Sequence, residues 1–209
     1  MKVKYSPGQI VSGIFSLPKK DGSLRLILNL KRFNEFVTHH HFKMDSRQAI
    51  ITLVTPNCFM ASIDMKDAYY SIPVKNEDRK YLRFKWEDQF YEFTRLPNGL
   101  SCAPRQFTKI LKPPLASLHK QGHISTAHLD DLYLQGRTYD DCVKNVIDTT
   151  VLLHKLGLVV HPEKSSFISS QVLVILGFII NSLTMAIQLT MDLALGLVLV
   201  NCEYLCEIL

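Results

Sequence analysis

The sequence predicts an α+β fold, an antiparallel sheet packed on helices. Three observations carry that reading. Short apolar runs rich in β-branched and aromatic residues recur along the chain, and two of them deliver acids: residues 59–63 run into Asp64, and Ala127-His128-Leu129 and Leu132-Tyr133-Leu134 flank the doublet Asp130-Asp131. Segments with helical spacing and capping residues lie between these runs. No internal repeat or low-complexity linker divides the 209 residues, so any substructures must interleave in sequence.

Each element has a local reason. Residues 24–30 form an apolar strand after the Asp21-Gly22 turn. Asp45 or Ser46 can cap a helix whose apolar positions are Ala49, Ile50, Leu53 and Val54. Residues 59–63 are the strand leading to Asp64. Residues 81–86 and 89–93 read as a hairpin around Glu87-Asp88. Ser101 precedes a helix with Pro104 in its first turn, where the missing N–H does little harm. Pro113-Pro114 is expected to end or kink that helix. Thr138-x-x-Asp141 approximates a capping box, Val143, Val146, Ile147 and Thr150 recur at helical spacing, and Gly157 provides the stop. Strands over 158–160, 172–180 and 185–189 follow, then an apolar terminal helix.

Composition bounds the function without selecting it. A chain with 47% hydrophobic residues can bury a sizeable core. The net charge of +5 is unevenly placed: residues 1–50 hold nine Lys or Arg against Asp21, Glu35 and Asp45, and the remainder holds fifteen basic and sixteen acidic residues. A basic face of that kind suits phosphates, with a solvated basic surface as the ordinary alternative. Five cysteines without C-x-x-C spacing imply free thiols in a reducing compartment. His39-His40-His41 and the His119, His123, His128 series lack cysteines at zinc-finger spacing, which disfavours zinc. No signal region opens the chain. Asn181, Gln188 and Asp192 interrupt the apolar C-terminal third well short of the ~18–20 residues of a membrane helix. The expectation is an intracellular protein without a membrane partner.

The acids suggest chemistry. An Asp-Asp pair is ordinarily a solvated turn. If a second strand sets Asp64 beside Asp130 and Asp131, however, the like charges are costly unless a divalent cation occupies the cluster. Hard oxygen ligands suit Mg²⁺, with Mn²⁺ as a substitute, and two such ions can clamp both reacting oxygens of a phosphoryl transfer.

Motifs outside the acids sharpen this. The segment 61–73, Ala-Ser-Ile-Asp-Met-Lys-Asp-Ala-Tyr-Tyr-Ser-Ile-Pro, resembles the first catalytic motif of retroelement reverse transcriptases, and 93–104, Phe-Thr-Arg-Leu-Pro-Asn-Gly-Leu-Ser-Cys-Ala-Pro, resembles their second. His128-Leu129-Asp130-Asp131 stands where that family carries an aromatic-x-Asp-Asp signature. Leu156-Gly157-Leu158 with His161-Pro162-Glu163-Lys164 is similar to the lysine motif, and Leu176-Gly177-Phe178 to the start of the primer grip. Residues 17–26 and 29–34 resemble the fingers. The order matches over roughly residues 10–190, with a DIRS-like or gypsy-like retrotransposon flavour.

The resemblance implies a right-hand polymerase of fingers and palm, with the thumb largely absent. Fingers fall at 1–38 and 75–93, palm at 39–74 and 94–190, and the start of a thumb or a divergent tail at 191–209. The implied activity is RNA-directed DNA polymerisation: deoxynucleoside triphosphates are added to a primer on an RNA or DNA template. Asp64 and Asp130 would ligate the metals, with Asp131 beside them. Lys19 and Arg25 would grip the triphosphate, and Lys20 is an equal chemical candidate. Asp67 and Ala68 would lie near the incoming nucleotide, with a helix-terminal acid as the plain reading of Asp67. Tyr69 would sit under the sugar and exclude a 2′-hydroxyl, leaving Tyr70 as a core aromatic. Asn98 and Gly99 would lie against the nucleotide and templating base. Lys164 would neutralise or protonate the leaving pyrophosphate; the alternative is an ordinary turn lysine.

Two departures stand out. His128 replaces the usual Tyr or Phe, and imidazole is smaller, polar and titratable. The chain also stops at Leu209, soon after the resemblance fades, as expected of a truncated or degenerate copy or a fragment of a longer product. The alternatives to a polymerase are a non-catalytic nucleic-acid-binding remnant of the same fold and an unrelated metal-dependent phosphotransferase. The ordered motifs outside the acids disfavour the last.

Overall fold

The structure, a computed structural model, describes residues 1–18, 22–38, 40–42 and 47–191. The elements in the first half are β1 (Lys2–Val3), β2 (Ile14–Pro18), β3 (Leu24–Leu28), the single-turn α1 (Lys31–Asn34), α2 (Arg47–Leu53), β4 (Phe59–Asp64), β5 (Arg83–Trp86) and β6 (Gln89–Glu92). Two 3₁₀ turns cover Ala68–Ser71 and Arg79–Tyr81. There follow α3 (Ala103–Lys120), β7 (Ile124–His128), β8 (Asp131–Gly136), α4 (Tyr139–Lys155), β9 (Ser166–Ser170), β10 (Val172–Ile175), β11 (Phe178–Asn181) and β12 (Ala186–Leu189). The chain forms two compact units, each from two stretches: 1–44 with 67–112, and 45–66 with 113–209.

The first unit holds two small antiparallel sheets, β2–β3 and β1-β6-β5. The β5–β6 hairpin turns at Glu87-Asp88, as the sequence predicts, with both residues at positive φ (45° and 59°). That primed geometry matches the twist of the flanking strands without the usual glycine. Arg83 and Glu92 form a buried ion pair: Nε and Nη2 both reach Glu92 Oε2, at 3.0 and 2.8 Å. Arg83 Nη1 also donates to Ser6 Oγ at 2.8 Å and Gln9 Oε1 at 2.7 Å, so the spare donors of a desolvated cation are used.

The second unit is built on a four-stranded antiparallel sheet, β7-β8-β4-β9, beside the meander β10-β11-β12. Its core joins Ile50 and Val54 of the α2 segment to Cys58, Met60, Tyr133, Leu173, Ile175 and Ile180. Helix α4 packs on β8, β9 and β4. Its capping box is complete: Thr138 Oγ1 accepts from Asp141 N at 3.1 Å, and Asp141 Oδ2 accepts from Thr138 N at 3.2 Å.

Several sequence expectations are corrected. Of the two outcomes expected at Pro113-Pro114, an end or a kink, the end does not occur: helix α3 runs on to Lys120. Interior prolines cost about 3 kcal/mol or more each. Phe107, Leu111, Leu115 and Leu118 are buried at helical spacing, and each buried side chain of this kind contributes about 1.5–3 kcal/mol, enough to offset the loss. The expected apolar stripe of α4 is buried at Val146 but not throughout. Ile147 is 55% exposed, while Asn145 and Thr149 are fully buried. Asn145 Nδ2 donates to Ile124 O (2.8 Å) and Gln135 O (3.1 Å), and Thr149 Oγ1 donates to Asn145 Oδ1, so polar bonds stitch the helix to β7 and β8.

Residues 158–160 are not a strand; Val160 makes only an isolated bridge to Met65. The run 172–180 is a hairpin, β10 and β11, because Leu176-Gly177 turns with φ of 52° and 81°. The expected strand 24–30 ends at Leu28, and Tyr81 belongs to a 3₁₀ turn. Strands β2 and β9 were not foreseen. Asp45, Ser46 and the terminal helix lie outside the described residues. Among the described residues no helix is long and apolar enough to cross a membrane.

Candidate active site

The acids come together through strand register. β4 and β8 pair antiparallel from Phe59↔Gly136 to Asp64↔Asp131, and β7 and β8 pair down to His128↔Asp131. Directly opposed residues share one face of a sheet, so Asp64, Asp131 and His128 form a row across three strands. The two-residue loop Leu129-Asp130 closes the β7–β8 hairpin, with Leu129 in the left-handed region at φ 57°. For a branched side chain that conformation costs about 1–2 kcal/mol. Met65 N donates to Asp130 O at 2.8 Å, which ties the hairpin tip to the end of β4. Asp131 is thus the first residue of the returning strand rather than part of the turn.

The electrostatics follow from this crowding. Partial burial, and then the neighbouring Asp130, raises the Asp64 carboxyl; Lys164 and His161 oppose the shift. Burial, Asp130 and Asp64 push Asp131 up to about 6, against His128 and Lys164. Carboxylates that make each other harder to ionise are the donor set a hard divalent cation relieves. Among the described residues, no three His, Cys, Asp or Glu side chains already form a group able to hold a metal ion. The fit therefore rests on donor chemistry, strand register and mutual charge penalty.

A turn after α4 supports β4 from its other edge. His161 N donates to Asp64 O at 2.8 Å, Asp64 N donates to Ser165 Oγ at 3.0 Å, and Lys66 N donates to Val159 O at 2.8 Å. Lys164 is exposed on this turn, within electrostatic reach of Asp64 and Asp131. Among the described residues, the buried ring Nδ1 of His161 meets no hydrogen-bond partner. Sequence reasoning quoted His161 only within the lysine motif and missed Ser165, because both reach Asp64 across about a hundred residues that only folding closes.

The remaining candidates lie in the first unit. Tyr70 is their hub. Its ring stacks on Phe93 at 6.2 Å, its hydroxyl donates to Leu26 O at 3.2 Å, and Asn98 Nδ2 donates to that hydroxyl at 3.1 Å. Burial raises the Tyr70 hydroxyl; Asn98 and Arg25 oppose the shift and Asp67 adds to it, so all three lie within electrostatic reach. Asp67 precedes the 3₁₀ turn at φ 50° and makes no side-chain cap bond, and Ala68 is buried. Tyr69 meets Phe107 edge-on at 6.0 Å. Arg25 is exposed on β3 opposite Leu17. Gly99, at φ 103°, passes so close to the Leu28 carbonyl that a Cβ would collide with it, and its own carbonyl accepts from Asn34 Nδ2 at 2.8 Å. Lys19 and Lys20 lie outside the described residues.

Comparison with known proteins agrees with the motif reading. The family model described as reverse transcriptase (RNA-dependent DNA polymerase) matches residues 17–180. The Transposon Tf2-3 polyprotein of Schizosaccharomyces pombe is 26% identical over 159 residues, 76% of this chain, and the Transposon Tf2-7 polyprotein of the same organism is 25% identical over the same share. The chain spans about 12% of the length of these relatives. Among solved structures, the foamy viral protease–reverse transcriptase dRH in complex with double-stranded DNA superposes with a TM-score of 0.80 at 24% identity, over 92% of this chain and 32% of that one. The native prototype foamy virus protease–reverse transcriptase gives 0.70 at 22% identity, over 86% and 23%. The fold is therefore the mixed helical and antiparallel fold of those enzymes, and the chain belongs to the reverse transcriptase family.

Proposed function

We propose that this chain is the polymerase domain of a retrotransposon reverse transcriptase, adding deoxynucleotides to a primer 3′ end on an RNA or DNA template. The observation that carries the proposal is the alignment of Asp64 and Asp131 on opposed strands, with Asp130 at the hairpin tip and Lys164 within reach of the acids. Family members generally use divalent metal ions. In this reading Asp64 and Asp130, with Asp131 beside them, hold Mg²⁺ or Mn²⁺, and the ions lower the charge cost of phosphoryl transfer when bound.

The chain's own residues do the rest. The register of β4 against β8 holds the acids where two separate stretches of sequence meet. Lys164 offers a cation, and a proton, to the leaving pyrophosphate. Arg25, with Lys19, binds the triphosphate, and Asp67 and Ala68 line its approach. Tyr69 excludes ribonucleotides, while Asn98 and Gly99 support the base. Solved relatives hold double-stranded DNA or an RNA/DNA hybrid, which supports a nucleic-acid duplex as partner. Residues 1–38 and 75–93 act as fingers and 39–74 and 94–190 as palm.

The test is primer extension by the purified chain on an RNA template with Mg²⁺ or Mn²⁺, alongside Asp130→Asn. Extension by the parent and none by the variant is expected. Equal extension by both would refute the assignment of the acids. No extension by a folded parent that still binds RNA would make it a non-catalytic remnant.

A further inference from the structure

We propose that Ser165 is a positioning residue for the carboxylate centre: its hydroxyl closes a ring of hydrogen bonds that ties the backbone of Asp64 to the turn carrying Lys164. The inference rests on the polymerase reading for its catalytic consequence, but not for its geometry.

Asp64 is the last residue of β4, and its two strand edges are held differently. On one side β8 continues in register to Asp131. On the other, the pairing with β9 shifts between Met60 and Ser62 and reaches no further than Ser62↔Ser166. Beyond that point Asp64 N has no strand carbonyl to meet. Ser165 Oγ takes its place at 3.0 Å. The same hydroxyl donates to His161 O at 2.8 Å, and His161 N donates to Asp64 O at 2.8 Å. Three bonds therefore run in a closed loop through Asp64, His161 and Ser165.

The loop also shapes the turn. The His161 carbonyl accepts from Lys164 N at 3.3 Å and Ser165 N at 3.1 Å besides the hydroxyl. Lys164 is thus held between the two anchor points of the staple. A hydroxyl can donate and accept at once, which alanine cannot and a thiol does only weakly. Removing it leaves a half-buried amide without an acceptor and frees the segment that brings a cation to two crowded acids.

The experiment uses the full chain with Ser165→Ala, Ser165→Thr and Ser165→Cys. In metal-free protein, amide hydrogen exchange at Asp64 should speed up about tenfold in Ser165→Ala relative to Ile63 and Leu132, and Ser165→Thr should restore protection. In primer extension with Mg²⁺, Ser165→Ala should lower kcat about tenfold with little change in KM for the deoxynucleotide, again restored by threonine. Adding Ser165→Ala to Lys164→Ala should cost less than Ser165→Ala costs in the parent, because part of the staple's effect passes through that lysine. Should Ser165→Ala not fold, Ser165→Cys keeps the volume, and the same losses are expected of it. Unchanged exchange at Asp64 in the alanine or cysteine variant would overturn the proposal. So would independent, multiplying effects of Ser165→Ala and Lys164→Ala on kcat. If the parent extends no primer, the polymerase reading fails by itself, and the exchange result still decides whether Ser165 holds Asp64.

Discussion

The candidate residues of the two units are held for opposite reasons. In the second unit, Asp64 and Asp131 bring a penalty to the fold: they are partly buried and share one sheet face with like charge. In the first unit, Tyr70, Asn98 and Gly99 carry structure. They bond Leu26, bond each other and let the chain pass close to Leu28 and Asn34. A residue that destabilises its own fold points to function more directly than one that also braces it. Substitutions should therefore separate activity from stability in the second unit and entangle them in the first.

The largest expected effect breaks activity alone. Asp130→Asn should reduce primer extension by about 10³-fold or more, the several kcal/mol a metal-binding carboxylate supplies, while circular dichroism and Tm stay near those of the parent. A comparable loss of Tm would show that the doublet is structural. Next, Gly99→Ala should entangle the two. Its Cβ would meet backbone and its φ is left-handed, so a stability loss of about 2–4 kcal/mol is expected, read as a lower urea midpoint.

The adjacent tyrosines sharpen the contrast within one turn. Tyr70→Val removes a stacked ring and a doubly bonded hydroxyl, and should cost about 2–4 kcal/mol of stability. Tyr69→Val should instead raise ribonucleotide over deoxynucleotide incorporation by about tenfold in competition assays. Equal shifts in sugar choice at both positions would reassign the gate.

The smallest effect has a sign that tests the penalty itself. The Asp131 carboxyl is raised from 3.8 to about 6, so the native state binds protons more tightly than the unfolded chain does. Stability then falls as pH rises from about 4 to about 6, and the penalty is complete above that. With EDTA present, Asp131→Asn should stabilise the protein at pH 7.5 by on the order of 1 kcal/mol, discounted for solvent screening, or about 2–4 °C in Tm. The gain should shrink at pH 5. A loss of Tm at pH 7.5 would mean that Asp131 has a stabilising partner.

What the sequence by itself determined was local or carried by ordered motifs. The Thr138–Asp141 capping box and the turn at Glu87-Asp88 need only residues within a few positions of each other, so they were legible in advance. The acids were legible because Asp64 and Asp130-Asp131 each end or begin an apolar run. Tertiary structure decided the rest. Burial of Leu111, Leu115 and Leu118 carries α3 through two prolines, and paired carbonyls of β7 and β8 make polar Asn145 an inward residue of α4. The Leu176-Gly177 turn divides one apolar run into two paired strands. Only the folded chain brings Ser165 and His161 to Asp64. Local propensity is a fraction of a kcal/mol per residue, and a buried side chain or a desolvated amide outweighs it.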